Sequence, residues 1–212
     1  MAGFNVINCP QKMRGRNGSF LLTYFGDKVG KRKMPTTKYL LYKKLGNNMN
    51  EQQFWQLFDE VNSAADGDMD VKCQLIEEKV TQLSGADAIA FSYLFTEKMA
   101  AAYSWKLWAA AYLINGGCGD DSFMDFRSSL IAQGQAIFEQ ALQDPDSLAA
   151  VETDEDYDWC YEGVQYAVND GVEAAVGDTV SREVSLDSEP SGDAWDEEDL
   201  ADLLPKLAAK YS

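Results

Sequence analysis

This sequence predicts an all-α fold, a compact domain of six to eight helices behind a short basic extension, and three observations carry that expectation. Apolar residues recur at helical spacing in one segment after another, as in Met69, Cys73, Ile76, Val80 and Leu83. Start and stop signals stand at the segment ends, among them Asn50 with Gln53 and the dipeptide Asp144-Pro145. Finally, the stretch WKLWAAAYLINGGCGDDSFMDFRSSLIAQG, from Trp105 to Gly134, reads as one apolar helix, a tight glycine loop and a second, longer helix. Trp108, Tyr112 and Leu113 line the first, and Phe123, Phe126, Leu130, Ile131, Ile137 and Phe138 continue the beat beyond a hinge at Asn115 to Gly119.

Residues 1–48 stand apart. FNVIN and SFLLTYF flank the turn-prone RGRNG and suggest a small β-hairpin, followed by the basic KVGKRK and the apolar KYLLYKKL. Asn50 and Gln53 then form a capping-box pair, and Phe54, Leu57, Phe58 and Val61 give the first helical stripe, to about Ala64. Past the turn DGDMD, the Met69 stripe runs to Ser84 and Gly85, and Ile89, Phe91, Leu94, Phe95 and Met99 mark a third helix. After the glycine loop the long helix is expected to reach Asp144, with Asp120 or Asp121 accepting from its first N–H groups. Ser147 opens a short turn, and Tyr157, Cys160, Tyr161, Val164, Val168, Val172 and Val176 predict a helix up to Gly177. Residues 178–194 read as a loop. The closing DEEDLADLLPKLAAKY carries acids at its start and Lys206 and Lys210 near its end, as the helix dipole favours, and Pro205 should kink or divide it.

The net charge of −17 is unevenly divided. Residues 1–48 hold ten Lys or Arg against the single acid Asp27, a charge of +9; residues 49–212 hold eight against 34 acids, a charge of −26. The body is therefore suited to a basic protein partner rather than to direct contact with nucleic acid, whose phosphates require positive charge. The basic extension can serve as a nucleic-acid arm or lie against the acidic body. No apolar run approaches the ~18 to 20 residues that span a bilayer, and the start MAGFNVINCPQK lacks the apolar core of a secretory signal, so a cytoplasmic location is expected. Cys9, Cys73, Cys118 and Cys160 lie 64, 45 and 42 positions apart, which favours reduced thiols.

No histidine is present, which removes the commonest general base, triad partner and zinc ligand. Asp66, Asp68, Asp70 and Glu77 resemble a calcium loop, but Val71 stands where such a loop needs glycine, and a polar helix-capping turn is the simpler reading. No metal and no cofactor are expected. Gly116 to Asp121 open a helix, and Trp108, Cys118, Asp120, Asp121 and Arg127 are the candidate pocket residues, with Arg127 paired either to those carboxylates or to a partner. From Glu152 to Asp202 there are 18 acids and the single base Arg182, a solvated face or a mimic of a phosphate array. The candidate partner-binding residues there are Asp154, Glu155, Asp156, Asp158, Glu162, Asp193, Trp195, Asp196, Glu197 and Glu198, with tryptophan as the aromatic anchor.

The run AAYSWKLWAAAYLINGGCGDDSFMDFRSSLIAQGQAIFEQALQDPDSLA closely resembles the bacterial domain of unknown function 4240, and NEQQFWQLFDEV and GDAWDEEDLADLLPKLAAKY resemble that family's ends. The resemblance covers about residues 49–212 and leaves 1–48 outside it. It implies a compact helical domain of bacterial cytoplasmic origin and brings no catalytic residue. The expected function is that of a non-catalytic protein-binding antagonist, the immunity protein of an antibacterial nuclease toxin, blocking its basic cleft. The alternatives are a regulatory protein whose basic arm contacts nucleic acid, and a carboxylate-based metal-dependent hydrolase using Asp120 and Asp121.

Overall fold

The computed structural model describes residues 49–153, 157–180 and 189–211. The hairpin expected within 1–48 lies outside the described residues. In chain order come α1 (Glu51–Ala65), α2 (Met69–Thr81), α3 (Gly85–Ala101), α4 (Trp105–Asn115), α5 (Asp120–Ala132) and α6 (Gln135–Gln143). A 3-10 helix (Pro145–Ala150) follows, then α7 (Gly163–Val176), a second 3-10 helix (Glu197–Asp199), α8 (Leu200–Leu203) and α9 (Pro205–Tyr211). Among the described residues the one extended pairing is an isolated parallel bridge between Ser104 and Ser191. The fold is all-α, as the periodicity predicts.

The caps explain most boundaries. Asn50 accepts from Gln53 N while the Gln53 side chain accepts from Asn50 N, so both halves of the capping box are present. Asp68, Ser84 and Ser104 cap α2, α3 and α4 by the same side-chain geometry. Two expectations need correction. The long helix across 120–144 is two helices, because Gly134 has φ 96°, a conformation that breaks the ladder after Ala132. The helix before Gly177 starts at Gly163 rather than near Tyr157, since the Asp158 carboxylate accepts from Cys160 N at 2.8 Å and holds a local turn that competes with helix. Pro205 divides the C-terminal segment as expected: α8 ends at Leu203 and α9 begins on the proline itself.

The body is built around α7, which packs along α2 and α3, while α1 lies on α2 and α5 touches both α3 and α7. An aromatic cluster fills the centre: Phe54, Phe58 and Phe91 are fully buried, and Trp55 meets Phe138 at 5.3 Å between centroids. Burying each such ring contributes roughly 2 to 3 kcal/mol. The C-terminal tail is strapped over α4. Trp105 N donates to Ser191 O at 2.9 Å, and Trp195 Nε1 donates to Trp105 O at 2.8 Å.

The contact of α2 with α7 depends on Gly171. A Cβ there would lie 2.9 Å from Val80 Cβ and 3.0 Å from the Glu77 carbonyl oxygen, closer than packed atoms tolerate. Gly171→Ala is therefore expected to lower stability by about 1 to 2 kcal/mol, because overpacking outweighs the ~1 kcal/mol of helix propensity gained. A urea unfolding midpoint that stays level or rises would show that the two helices yield.

Candidate functional site

Two groups of residues stand out from the sequence, the glycine loop between α4 and α5 and the acids after Glu152. In the loop, Gly116 and Gly117 take φ 62° and 129°, and Gly117 N closes on Tyr112 O at 2.8 Å. Trp108 Nε1 donates to Cys118 O at 2.9 Å, which fastens the loop to α4. The Trp108 ring is buried and stacks on Phe123 at 4.7 Å. Asp120 and Asp121 do not supply a side-chain cap: Gly119 is the N-cap residue and the two exposed carboxylates sit in the first turn, where they face the positive end of the helix.

Arg127 lies inside the protein. Its Nη1 donates to Met99 O at 2.8 Å, and its guanidinium lies 4.8 Å from the Tyr103 ring centre and 5.0 Å from that of Phe123. Trp108 and Arg127 thus share the Phe123 ring in the core, whereas Asp120 and Asp121 point outward, so the five expected pocket residues do not converge on one cavity. The Cys118 thiol is pushed well above its usual range by a hydrogen bond with Cys160, by burial and by the charges of Asp125 and Asp120. It is held protonated at neutral pH and is a poor nucleophile.

The acids divide into distinct surroundings. Asp154, Glu155 and Asp156 lie outside the described residues. Asp193, Asp196, Glu197 and Glu198 are exposed along the C-terminal tail. Trp195, expected as an aromatic anchor for a partner, is instead a core residue: it is 9% exposed and meets Tyr112 edge-on at 5.3 Å, so it pins the tail to α4.

Around the start of α7 the structure assembles a group that the sequence left scattered. Asp158 and Glu162 are exposed there and share an electrostatic field with Asp121 and Asp125 of α5. Asp125 is half-buried and accepts from Gln165 Nε2 at 2.9 Å. Burial pushes its carboxyl up to about 6, the Gln165 hydrogen bond opposes this, and the charges of Glu162, Asp121 and Asp158 add to the rise. Next to them Tyr166, 54% exposed, donates to a Glu162 carboxylate oxygen at 2.8 Å. Sequence reasoning missed Asp125 and Tyr166. Asp125 could have been found one turn beyond Asp121 on the same helix face, and Tyr166 by its place off the Val164, Val168, Val172 stripe. Further along α7, an open cavity of about 420 Å³ is lined by Asp170, Glu173, Ala174, Gly177 and Asp178.

A raised carboxyl means that the charge on Asp125 costs stability in the folded state. The cost appears as pH rises from about 4 to about 6 and is then constant. Asp125→Asn keeps an acceptor for Gln165 and is expected to stabilise the protein at pH 7 by about 1 kcal/mol after allowance for solvent screening. The gain should vanish below about pH 4. Thermal melts at both pH values check this, and a pH-independent difference would contradict it.

Comparison with known proteins gives one family. The profile of a protein of unknown function (DUF4240) matches residues 49–173 and stops short of the C-terminal tail, whose resemblance to the family's end lies outside the match. No curated protein and no solved structure matches the chain.

Proposed function

Because the chain belongs to the DUF4240 family of proteins of unknown function, which brings no activity with it, we propose its role from its surface. It is a non-catalytic antagonist that binds a basic protein, and a nuclease toxin to which it confers immunity is the partner class that fits best. The observation that carries this is the acidic face at the start of α7, where the charges of Glu162, Asp121 and Asp158 bear on Asp125 and the exposed Tyr166 donates to Glu162. Crowded carboxylates attract a cationic cleft and speed encounter, and an exposed tyrosine within them supplies the aromatic contact that slows release. The exposed acids of the tail, Asp193, Asp196, Glu197 and Glu198, extend the charge available to such a partner. In the glycine loop Cys118 is held protonated, and Trp108 and Arg127 are enclosed in the core, which supports a structural rather than a catalytic role there.

The test is capture of the partner from the native bacterium with the full chain, followed by a nuclease assay on the captured protein. One equivalent of the chain is expected to abolish cleavage. Tyr166→Ala combined with Glu162→Lys is expected to weaken inhibition by roughly 30-fold or more while the unfolding midpoint stays unchanged. A captured protein without nuclease activity, or inhibition indifferent to both substitutions, would refute the reading.

A further inference from the structure

Three contacts close the seam between α5 and the stretch that leads into α7. The rings of Phe126 and Trp159 lie 6.0 Å apart, Ser129 Oγ donates to Tyr161 O at 3.4 Å, and Gln165 Nε2 donates to Asp125 at 2.9 Å. Two thiols from separate segments meet at this seam. Cys118, at the end of the glycine loop, is hydrogen-bonded to Cys160, 42 positions further along the chain. Both are half-buried free thiols. Both also stand outside the helices, Cys118 before α5 and Cys160 in the turn before α7, so no helical ladder fixes the backbone at either one. The glycine loop has room to adjust, since a Cβ at Gly116, Gly117 or Gly119 would meet nothing within 4 Å. Cys73 is placed differently. Its Sγ lies 3.2 Å from where a Gly163 Cβ would stand, and the charges that bear on it are those of Asp70 and Lys72.

We infer that Cys118 and Cys160 form a reversible redox site, which a small disulfide oxidises to an intrachain bridge that staples the glycine loop to the start of α7. Sulfur atoms already in hydrogen-bond contact need only a short approach to reach the bonded distance of about 2 Å, and two non-helical segments can supply it. Cys118 holds its proton at neutral pH, so Cys160 reacts first. Its sulfur attacks the small disulfide, the S–S bond breaks, and one small thiol leaves with the proton from Cys160. Cys118 then attacks the Cys160 sulfur, and a second small thiol leaves with the proton from Cys118. Two protein thiols are oxidised by two electrons, and the small disulfide is reduced to two thiols. Because Cys118 is held beside Cys160, the second step runs at high effective concentration and clears the mixed disulfide. A small thiol in excess reverses both steps. The inference goes beyond the proposed partner binding and does not depend on it.

The test treats the full chain with 2-hydroxyethyl disulfide, which is neutral and so is not repelled by the acidic surroundings. The reaction is quenched with acid, the remaining thiols are alkylated, and the unreduced peptides are mapped by mass spectrometry. The expected result is an intrachain link between Cys118 and Cys160 that exceeds every other cysteine pairing and every mixed disulfide by about tenfold or more. Dithiothreitol should remove it. The oxidised chain should melt about 5 °C or more above the reduced chain, because the bridge restrains the unfolded loop between the two cysteines. Cys73→Ser should leave both results unchanged, whereas Cys118→Ser and Cys160→Ser should each abolish both. A dominant bridge to Cys73 or Cys9, mixed disulfides alone, links only between chains, or a midpoint that does not rise on oxidation would each overturn the inference. None of these readouts involves a second protein, so failure here is distinct from failure of the antagonist reading.

Discussion

Arg127→Ala is expected to lower the stability of the protein by about 3 kcal/mol, one of two effects of similar size traceable to single polar side chains in the interior. The guanidinium donates to Met99 O across the α3–α5 contact and lies against the Tyr103 and Phe123 rings, so its removal strips a carbonyl of its donor and opens a void beside Phe123. Taking a buried charge out returns part of its desolvation cost, which keeps the loss below the sum of the separate contacts. Arg127→Met fills most of the volume without a charge and is expected to cost about half as much. For a domain of this size the alanine variant should melt roughly 6 to 12 °C lower. Urea and thermal unfolding of both variants check this. An alanine variant with the parent midpoint would mean that Arg127 serves the surface rather than the core.

Asp146→Ala is expected to detach the C-terminal helix at a cost of about 3 kcal/mol. Asp146 is 5% exposed, and its carboxylate accepts from Lys206 N at 3.0 and 3.2 Å and from Leu207 N at 2.9 Å, so it caps α9 from 60 positions away. Pro205 has no N–H to satisfy, which leaves those two donors dependent on Asp146. Leu204 and Leu207, both fully buried, would lose their anchor with it. Hydrogen exchange gives the decisive readout. In the alanine variant the amides of 206–211 should exchange much faster while those of α3 keep their protection, and Asp146→Asn, which retains one acceptor oxygen, should restore most of the difference. Uniform acceleration across α3 and α9 would count against a local cap.

Much of the helical plan is legible in the sequence, because caps and stripes are local. The pairing of Asn50 with Gln53 spans three positions, and the Met69 to Val80 stripe needs only the 3.6-residue repeat to be read. The break at Gly134 escapes the same method. Phe126, Leu130, Ile131 and Phe138 keep phase closely enough across it that apolar periodicity alone shows a single helix, and the φ of 96° is a property of the folded backbone. The start of α7 escapes for a related reason. Tyr157, Cys160 and Tyr161 fit the stripe, yet Asp158 turns its carboxylate to Cys160 N and satisfies the backbone in a non-helical way.

The candidate site divides along the same line. Composition and order determined by themselves that the body is acidic and the first 48 residues basic, that the described chain is helical, and that exposed carboxylates would be plentiful after Glu152. These follow from charge counting and from interactions within a few residues along the chain. Only the tertiary structure decided that Trp195 belongs to the core, that Arg127 faces Met99, and that Cys118 meets Cys160. It alone brought Asp125 of α5 to Gln165 of α7, 40 positions away, with Asp158 and Glu162 close by. Side chains on separate helices meet where packing of the apolar faces places them, and burial at that meeting point, which no local pattern encodes, sets their charge and exposure.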